Sequence, residues 1–238
     1  MGCDQCRERC PDEELLLRER QALLRFNLVK AKTLYETFTL LSRSGVLNAK
    51  AFEDAVSQLR LCTSSPAQPG LLEQFYSSLQ QSDGVPMRTL QLLAVLLGSS
   101  LPFERATLLF QIYDSDYTLQ LSRATVQQLV SEVTHLAVDL VGQLASGEQQ
   151  VNMQRYFADL KAAKEEYSQA RIVDIVGEKT SVSREEFIGR FSGNSAYQSL
   201  LQAQTLRVAL FELRKEQLIK RRAKVPPGLS LTATPRSE

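Results

Sequence analysis

The stretch of sequence that decides the fold is Phe110-Gln-Ile-Tyr-Asp-Ser-Asp-Tyr-Thr-Leu-Gln-Leu-Ser-Arg-Ala-Thr-Val126. It begins with apolar residues at helical spacing and ends in a second helical pattern that Ser122 can cap. Between the two patterns lie short side chains that carry oxygen, at nearly alternate positions: Asp114, Asp116, Thr118, Gln120, Ser122 and Thr125. The stretch therefore predicts two helices that are joined by a loop rich in possible oxygen ligands.

This spacing is that of an EF-hand, in which a 12-residue loop joins two helices and holds calcium from fixed loop positions. With Asp114 at position 1, the apolar Leu121 takes position 8 and Thr125 takes position 12. The entry helix, which ends Leu-Phe-Gln-Ile-Tyr-Asp, resembles the third hand of the neuronal calcium sensor and guanylate cyclase activator family. The resemblance implies an EF-hand fold, and members of that family carry an N-terminal myristoyl glycine.

Three further stretches repeat the pattern more weakly, with 12-residue loops over 40–51, 78–89 and 175–186. Their position 8 is also apolar, occupied by Leu47, Val85 and Val182. Four hands would form two pairs, as in calmodulin-like lobes. We therefore expect an all-α fold of paired, degenerate EF-hand-like units with a long C-terminal helix. The alternative is a generic helical bundle, because apolar matches of this kind also arise by chance.

The expected organisation has four parts. An acylated tail covers 1–12, a first EF-hand-like lobe 13–100, and a second lobe with a terminal basic helix 101–224. The segment 225–238 holds three prolines and four Ser or Thr residues, and it reads as a disordered tail. Within the lobes, the longest predicted helices cover 13–28, 123–144, 152–176 and 196–224. The predicted helix caps are Asn48, Ser122 and Ser183, the last of which forms a capping box with Glu186.

The four loops lack the ligands that calcium requires. Calcium takes six to eight oxygens, including a bidentate Glu at position 12, and the loop has a glycine at position 6. The third loop has Leu119 and Thr125 at those two positions. The fourth loop keeps Glu186 at position 12, but it begins with Ile175 and has Lys179 at position 5. We therefore predict no metal site, while a calcium sensor that uses the third hand remains the alternative.

The first residues, Met1-Gly-Cys-Asp-Gln-Cys6, contain Gly2 at a position that can accept myristate after removal of Met1. They resemble the start of Fyn-type Src-family kinases, which implies myristate on Gly2 and palmitate on Cys3 and Cys6. One myristoyl chain binds membranes with only about 10⁴ M⁻¹, so a stable anchor needs a second signal. The alternatives are an unmodified tail and, with Cys10, a metal site, although a closed zinc site needs four ligands.

The end of the last predicted helix is basic, with Lys220, Arg221, Arg222 and Lys224. Three interpretations are open. These residues can complement the negative end of the helix dipole. They can also form a second membrane contact or a partner-binding patch, worth about 1 kcal/mol per residue near an anionic leaflet. Finally, the apolar part of this helix can fill a groove of the hands themselves, as a bound peptide would.

Composition narrows the class of function. The chain has 238 residues and a net charge of +1, so no overall positive field recruits nucleic acid. No segment has the roughly 20 apolar residues of a membrane span, and no secretory signal or nucleotide-binding or hydrolase motif is present. The single histidine, His135, and Cys62 have no partner for catalysis nearby in sequence. We expect no enzyme activity and no cofactor.

A broader pattern spans Leu90 to Leu144, where an apolar helix, the sequence Leu-Leu-Gly-Ser, a second helix and a long Val/Leu-rich helix follow one another. This pattern is similar to the N-terminal region of the TLD-domain protein associated with mTOR signalling, which also begins Met-Gly and has degenerate hands.

The expected protein is a lipid-anchored, calcium-independent adaptor that binds a protein partner through an apolar groove. Its expected place is the cytoplasmic face of the plasma membrane or of an endolysosomal membrane. A soluble helical scaffold without an anchor is the further alternative.

Overall fold

Helices dominate the computed structural model, which describes residues 11–66, 68–145, 151–193 and 195–223. In chain order they are α1 (Asp12–Leu23), α2 (Ala31–Leu41), α3 (Ala49–Leu59), α4 (Leu71–Leu79), α5 (Met87–Leu97), α6 (Pro102–Tyr113), α7 (Arg123–His135), α8 (Val151–Val176), α9 (Arg184–Gly193), α10 (Ser195–Gln198) and α11 (Ala203–Ala223). The strands are β1 (Val46–Leu47), β2 (Val85–Pro86), β3 (Gln120–Ser122) and β4 (Ser181–Ser183). The all-α prediction is confirmed.

The short strands join the loops in pairs. Antiparallel β1 and β2 place Leu47 opposite Val85. Antiparallel β3 and β4 place Leu121 opposite Val182. These are the four residues predicted at position 8, and each is at most 1% exposed. The loops therefore pair as the sequence predicts, the first with the second and the third with the fourth.

Each loop lies between two helices, so four helix–loop–helix units follow one another. The units are α2 with α3, α4 with α5, α6 with α7, and α8 with α9. The predicted caps are also present, since Asn48 Oδ1 accepts from the Ala51 N–H at 2.9 Å. Likewise, Ser122 Oγ accepts from the Thr125 N–H at 3.1 Å.

Aromatic side chains fill the core of each pair of hands. In the second pair, the rings of Phe110 and Phe187 lie 5.5 Å apart between centroids, and those of Phe187 and Phe191 lie 4.8 Å apart. In the first pair, Phe52 packs on Tyr76 at 5.4 Å. Burying one such side chain contributes about 1.5–3 kcal/mol, so apolar packing supplies most of the stability of these units.

Three predicted long helices are interrupted. The helix expected over 13–28 ends at Leu23, and Arg25 adopts a left-handed conformation with a φ of 63°. The helix expected over 196–224 breaks at Gln202, which is extended, and the preceding Leu201 carbonyl accepts from Arg105 Nη1 at 2.9 Å. A distant contact also accompanies the first break, since the Leu24 carbonyl accepts from the Cys62 N–H at 3.4 Å. Helical periodicity alone does not predict such contacts.

The helix expected over 123–144 changes its winding at its end. It is α-helical only to His135, then π-helical over Leu136–Leu140 and 3₁₀-helical over Val141–Ala145. In the π segment the Val141 N–H donates to the carbonyl of Leu136, five residues back. The neighbouring Ala137 carbonyl accepts from Arg207 Nη1 at 2.9 Å, so the irregular turn presents a carbonyl to α11.

The first helix packs against the second half of the chain. Helix α1 contacts α8, α11 and the segment Val141–Ala145. Its buried side chains include Glu14, Leu17 and Arg20, and Arg20 Nη1 donates to the Leu144 carbonyl at 3.0 Å. The domain boundaries at residues 12, 100 and 224 remain predictions, but α1 is structurally tied to the second pair of hands.

Candidate functional site

The third loop, between α6 and α7, is the candidate site. Asp114 directly follows α6 as its C-terminal cap and is 6% exposed. Both of its carboxylate oxygens lie near the Leu119 N–H, at 3.2 and 3.3 Å. The position 1 carboxylate therefore forms the turn of the loop by accepting a hydrogen bond from position 6.

Four of the predicted oxygen-bearing residues converge around one hydroxyl. Thr118 Oγ1 lies 3.3 Å from Asp114 Oδ1 and 3.2 Å from Asp116 Oδ1. The same hydroxyl is 3.2 Å from the carbonyl oxygen of Gln120. Loop positions 1, 3, 5 and 7 thus face one another, and the single Thr118 hydroxyl proton can bond to one of the three acceptors at a time.

The other two predicted loop residues serve the start of α7. Ser122 Oγ accepts from the Thr125 backbone N–H and also lies 2.9 Å from Thr125 Oγ1. Thr125 brings one neutral hydroxyl to position 12, where calcium takes a bidentate carboxylate. With only two charged oxygen donors in the loop, the residues of the third loop do not fit calcium, the ion that the resemblance to EF-hands implies.

The backbone of the third loop is strained because it keeps the turn of a hand without a glycine. Tyr117 has a φ of 56° and Leu119 a φ of 57°. A left-handed conformation costs an L-residue about 1–2 kcal/mol. Both side chains are exposed, Tyr117 at 86% and Leu119 at 51%.

The fourth loop also lacks a calcium site, but for a different reason. Lys179 Nζ donates to Glu186 Oε1 at 2.5 Å. Glu186 Oε2 also accepts from the Ser183 N–H at 3.4 Å, and the Glu186 N–H donates to Ser183 Oγ at 3.3 Å, which confirms the predicted capping box. The Lys179 hydrogen bond, followed by that from Ser183, lowers the pKa of Glu186. The carboxylate at position 12 thus has an internal ammonium as its counter-ion.

Direct contacts between the third and fourth loops hold the two together. The Arg123 N–H donates to the Thr180 carbonyl at 2.8 Å, and the Arg184 N–H donates to the Leu119 carbonyl at 3.0 Å. Arg123 Nη1 also donates to the Gly177 carbonyl at 2.8 Å. Protein hydrogen bonds thus connect the two loops.

The first two loops have no acid at position 12, which is Ala51 in one loop and Thr89 in the other. Their close pairing depends on Gly84, which has a φ of 127°. A Cβ atom at this position would lie 2.2 Å from the carbonyl oxygen of Leu47. The first pair is therefore a structural unit built on backbone contact.

The sequence does not predict the buried polar cluster at the contact between α1 and α11. Arg207 Nε and Nη2 donate to the two carboxylate oxygens of Glu14 at 2.8 and 2.6 Å, and both side chains are fully buried. Tyr156 donates its hydroxyl to Glu14 at 2.8 Å. The partners lie 193 residues apart in sequence, so no local pattern reveals the pair. The only sequence signal is an acid and a base at the expected buried positions of two amphipathic helices.

The predicted lipid sites Gly2, Cys3 and Cys6 lie outside the described residues, as does Lys224. The side chain of Arg222 also lies outside the described part. Lys220 and Arg221 are exposed at the end of α11, and Lys220 Nζ is 3.9 Å from Glu216 Oε2. The structure thus places two of the four predicted basic residues on an accessible helix end.

The apolar start of α11 is enclosed in the molecule. Leu206 and Leu210 are fully buried, and the helix packs along α8 and the π-helical segment. The first half of α11 is therefore part of the core beside α8, and the three interpretations of this helix stay predictions.

A cleft of about 280 Å³ lies between α1, the end of α5 and the start of α11. Polar residues make up much of its lining, including Gln21, Asn27 and Gln202. Arg105 also lines it, and burial lowers the pKa of its guanidinium to about 10. Because Arg105 donates to the carbonyls of Ser100 and Leu201, this side chain has a structural role.

The two candidate catalytic side chains lie in ordinary surroundings. His135 is exposed, and its Nδ1 lies 2.9 Å from Asp139, which also accepts from Lys164 at 2.6 Å. Cys62 Sγ donates to the Ser64 carbonyl at 2.8 Å. Among the residues that the structure describes, no group of three or more His, Cys, Asp or Glu side chains is arranged to hold a metal.

Comparisons of the chain with protein-family models, with curated proteins and with solved structures gave no match. In the described part of the chain, no helix is both long enough and apolar enough to span a bilayer.

Proposed function

We propose that the chain is a lipid-anchored, calcium-independent adaptor with EF-hand-like units, which binds a protein partner at the cytoplasmic face of a membrane. The observation that carries this proposal is the internal use of the acids in the second pair of hands. Asp114 accepts from the backbone of its own loop, and Glu186 is paired with Lys179. In addition, neither loop has the complete set of oxygen ligands that calcium requires, so the shape that these hands offer to a partner does not depend on calcium.

In this proposal myristate on Gly2 and palmitate on Cys3 and Cys6 hold the chain at the plasma membrane or an endolysosomal membrane. The support is the sequence of the first six residues and the weakness of a single acyl chain as an anchor. The described helices contribute the partner-binding body, which takes the protein partner in an apolar groove.

A calcium sensor is the second candidate, and a specific observation favours it. Asp114, Asp116, Thr118 and the Gln120 carbonyl already face one another in the third loop. The absence of a position 12 carboxylate opposes this function, because the bidentate Glu normally completes calcium coordination. The soluble scaffold is the third candidate and differs only in lacking the anchor.

The test is membrane fractionation of cells that express the full chain and are labelled with alkyne-myristate, in calcium and in a calcium chelator. We expect the native chain to be labelled and to stay with membranes in both conditions. The Gly2→Ala variant should lose both the myristate label and its attachment to membranes. The Cys3→Ser/Cys6→Ser variant should keep the myristate label but lose stable attachment. An unlabelled, soluble native chain would favour the scaffold, and release by the chelator would favour the sensor.

A further inference from the structure

The buried Glu14–Arg207 pair fixes how α1 and α11 lie relative to each other. Two parallel hydrogen bonds join the guanidinium to the carboxylate, and Arg207 Nη2 also donates to Gln21 Oε1 at 3.2 Å. Such bidentate pairs fix geometry as well as distance. The orientation of α1 on the molecule is therefore set by α11.

These two helices run in opposite directions. Gln21, late in α1, borders the same cleft as Gln202, just before α11 begins. Glu14, early in α1, accepts from Tyr156, whose ring lies 5.3 Å from that of Phe211. As the chain passes from residue 202 to residue 211, the neighbouring residues of α1 change from late to early ones in that helix. The beginning of α1 and the end of α11 therefore lie at the same end of the molecule.

The last turns of α11 are accessible there. Among the described side chains of this helix, none beyond Leu210 is buried. Lys215, Ile219 and Lys220 are exposed, and Ile219 is 66% exposed. Residues three and four apart share a helix face, so Ile219 stands on the outward face with Lys215 and with the exposed acid Glu216.

The charge of this face is positive toward the helix end. Lys215 pairs with Glu212 at 2.9 Å and Lys220 pairs with Glu216 at 3.9 Å, both as exposed pairs within the helix. Exposed pairs of this kind are weak, so the lysines can exchange these partners for others. Lys220 and Arg221 are followed in sequence by Arg222 and Lys224, without an acid between them.

We propose that the end of the molecule where α1 begins and α11 ends is a docking surface for an anionic lipid bilayer. The surface consists of Lys215, Ile219, Lys220 and Arg221, and the Glu14–Arg207 pair holds the start of α1 beside it. This inference rests on the membrane attachment proposed above and assigns the face of the protein that meets the membrane.

A lipid surface fits this face better than an acidic protein does. A helix with basic residues around an apolar side chain is suited to the headgroup layer. The acylation motif is also joined to the start of α1 by residues that can span at most about 35 Å. Acyl chains inserted near that point would raise the effective concentration of the basic face at the same leaflet.

The first test uses the full chain made without acylation, so that the anchor cannot contribute. Its partitioning is measured on vesicles of phosphatidylcholine alone and on vesicles of phosphatidylcholine and phosphatidylserine in equal amounts. With about a fivefold gain per basic residue, we expect about 100-fold stronger partitioning into the anionic vesicles. Lys215→Gln/Lys220→Gln/Arg221→Gln should lose most of that preference, since only Arg222 and Lys224 of the basic end remain.

The matched control is Lys32→Gln/Arg43→Gln/Lys50→Gln, which removes three exposed basic residues from the first pair of hands. It lowers the net charge equally and should keep the preference for phosphatidylserine. Equal losses in the two triple variants would overturn the proposed face. A native chain that does not distinguish the two vesicle types would overturn the proposal as a whole, whatever the outcome of myristate labelling.

The second test locates the contact. The chain contains no tryptophan, so Ile219→Trp and Leu15→Trp give single fluorescent reporters at α11 and near the start of α1. Leu28→Trp is the control, because Leu28 is 72% exposed and lies beyond the other end of α1. We expect blue-shifted emission and quenching by brominated lipid at 219 and 15, but not at 28. Quenching at 28 alone would overturn the assignment, and quenching at none of the three would leave an acidic protein as the occupant.

Discussion

The third and fourth loops have the same backbone pairing but opposite defects as calcium sites. The third loop gathers oxygens at its start and lacks the closing carboxylate, with Thr125 in that place. The fourth loop keeps the closing carboxylate, Glu186, and neutralises it with Lys179. Both loops still pair through Leu121 and Val182. The comparison shows that packing and hydrogen bonds within the chain hold the two loops together, although neither loop has a complete set of calcium ligands.

The variant with the largest expected effect restores the two residues that the third loop lacks as a calcium site. Leu119→Gly/Thr125→Glu would supply the glycine of the turn and a bidentate carboxylate at position 12. We expect calcium to bind with a Kd of about 10⁻⁵ to 10⁻³ M, within the range of known hands, which corresponds to about 4–7 kcal/mol of new binding free energy. Isothermal titration calorimetry measures the Kd of this calcium binding.

The matched control for this gain is Leu119→Gly/Thr125→Gln, which has nearly the same shape but no carboxylate at position 12. It should remain without calcium binding. Equal binding by both double variants would show that the glycine alone restores the site, and binding by neither would show that the defect extends beyond these two positions.

The next largest effect concerns the contact that ties α1 to the second pair. Arg207→Met would leave the Glu14 carboxylate buried without its counter-ion, and we expect a loss of about 3–5 kcal/mol in the free energy of unfolding. Urea denaturation followed by circular dichroism measures this loss. Glu14→Leu/Arg207→Met should be more stable than Arg207→Met alone, because no unpaired charge remains. A double variant that is less stable than the single one would contradict this account.

A smaller effect separates the two acids of the third loop. Asp114→Ala would remove a buried acceptor from the Leu119 N–H, and we expect a loss of about 2 kcal/mol in unfolding free energy. Asp116→Ala is the matched control, since Asp116 is exposed and should change stability by less than about 0.5 kcal/mol. Equal effects in urea denaturation would mean that Asp114 has no special role in the turn.

The smallest effect is the pH dependence of the Lys179–Glu186 pair. Because the folded pKa of Glu186 lies below its usual 4.5, the pair stabilises the protein above that value and loses its effect as pH falls through the folded pKa. Lys179→Met should therefore be slightly less stable than the native chain near neutral pH. The difference should shrink in acid, as measured by thermal unfolding at several pH values. A difference that is constant with pH would exclude the ion pair as its source.

Local features of the fold were predictable from the sequence, because local residues produce them. The position 8 residues Leu47, Val85, Leu121 and Val182 follow from loop spacing, and their pairing follows from the order of the hands. The cap at Asn48 and the capping box of Ser183 and Glu186 need only neighbouring backbone groups. In the candidate site, the same spacing identified the ligand positions and their defects.

Features that depend on distant contacts were not predictable. The Glu14–Arg207 pair joins residues 193 positions apart, and a charged residue at a buried helix position does not reveal its partner. The π-helical turn after His135 and the break at Gln202 both present carbonyls to arginines from other helices. Helical periodicity predicts which face of a helix is apolar, but it does not predict which distant side chain donates a hydrogen bond to a particular carbonyl.

The most direct test of calcium independence is a titration of the native full chain with calcium in a calorimeter. The account predicts no saturable heat up to about millimolar calcium, because the third loop has Thr125 at position 12, the fourth loop begins with Ile175, and no loop offers a complete ligand set. Saturable micromolar binding that Asp114→Ala abolishes would contradict it and would establish the third hand as a calcium sensor.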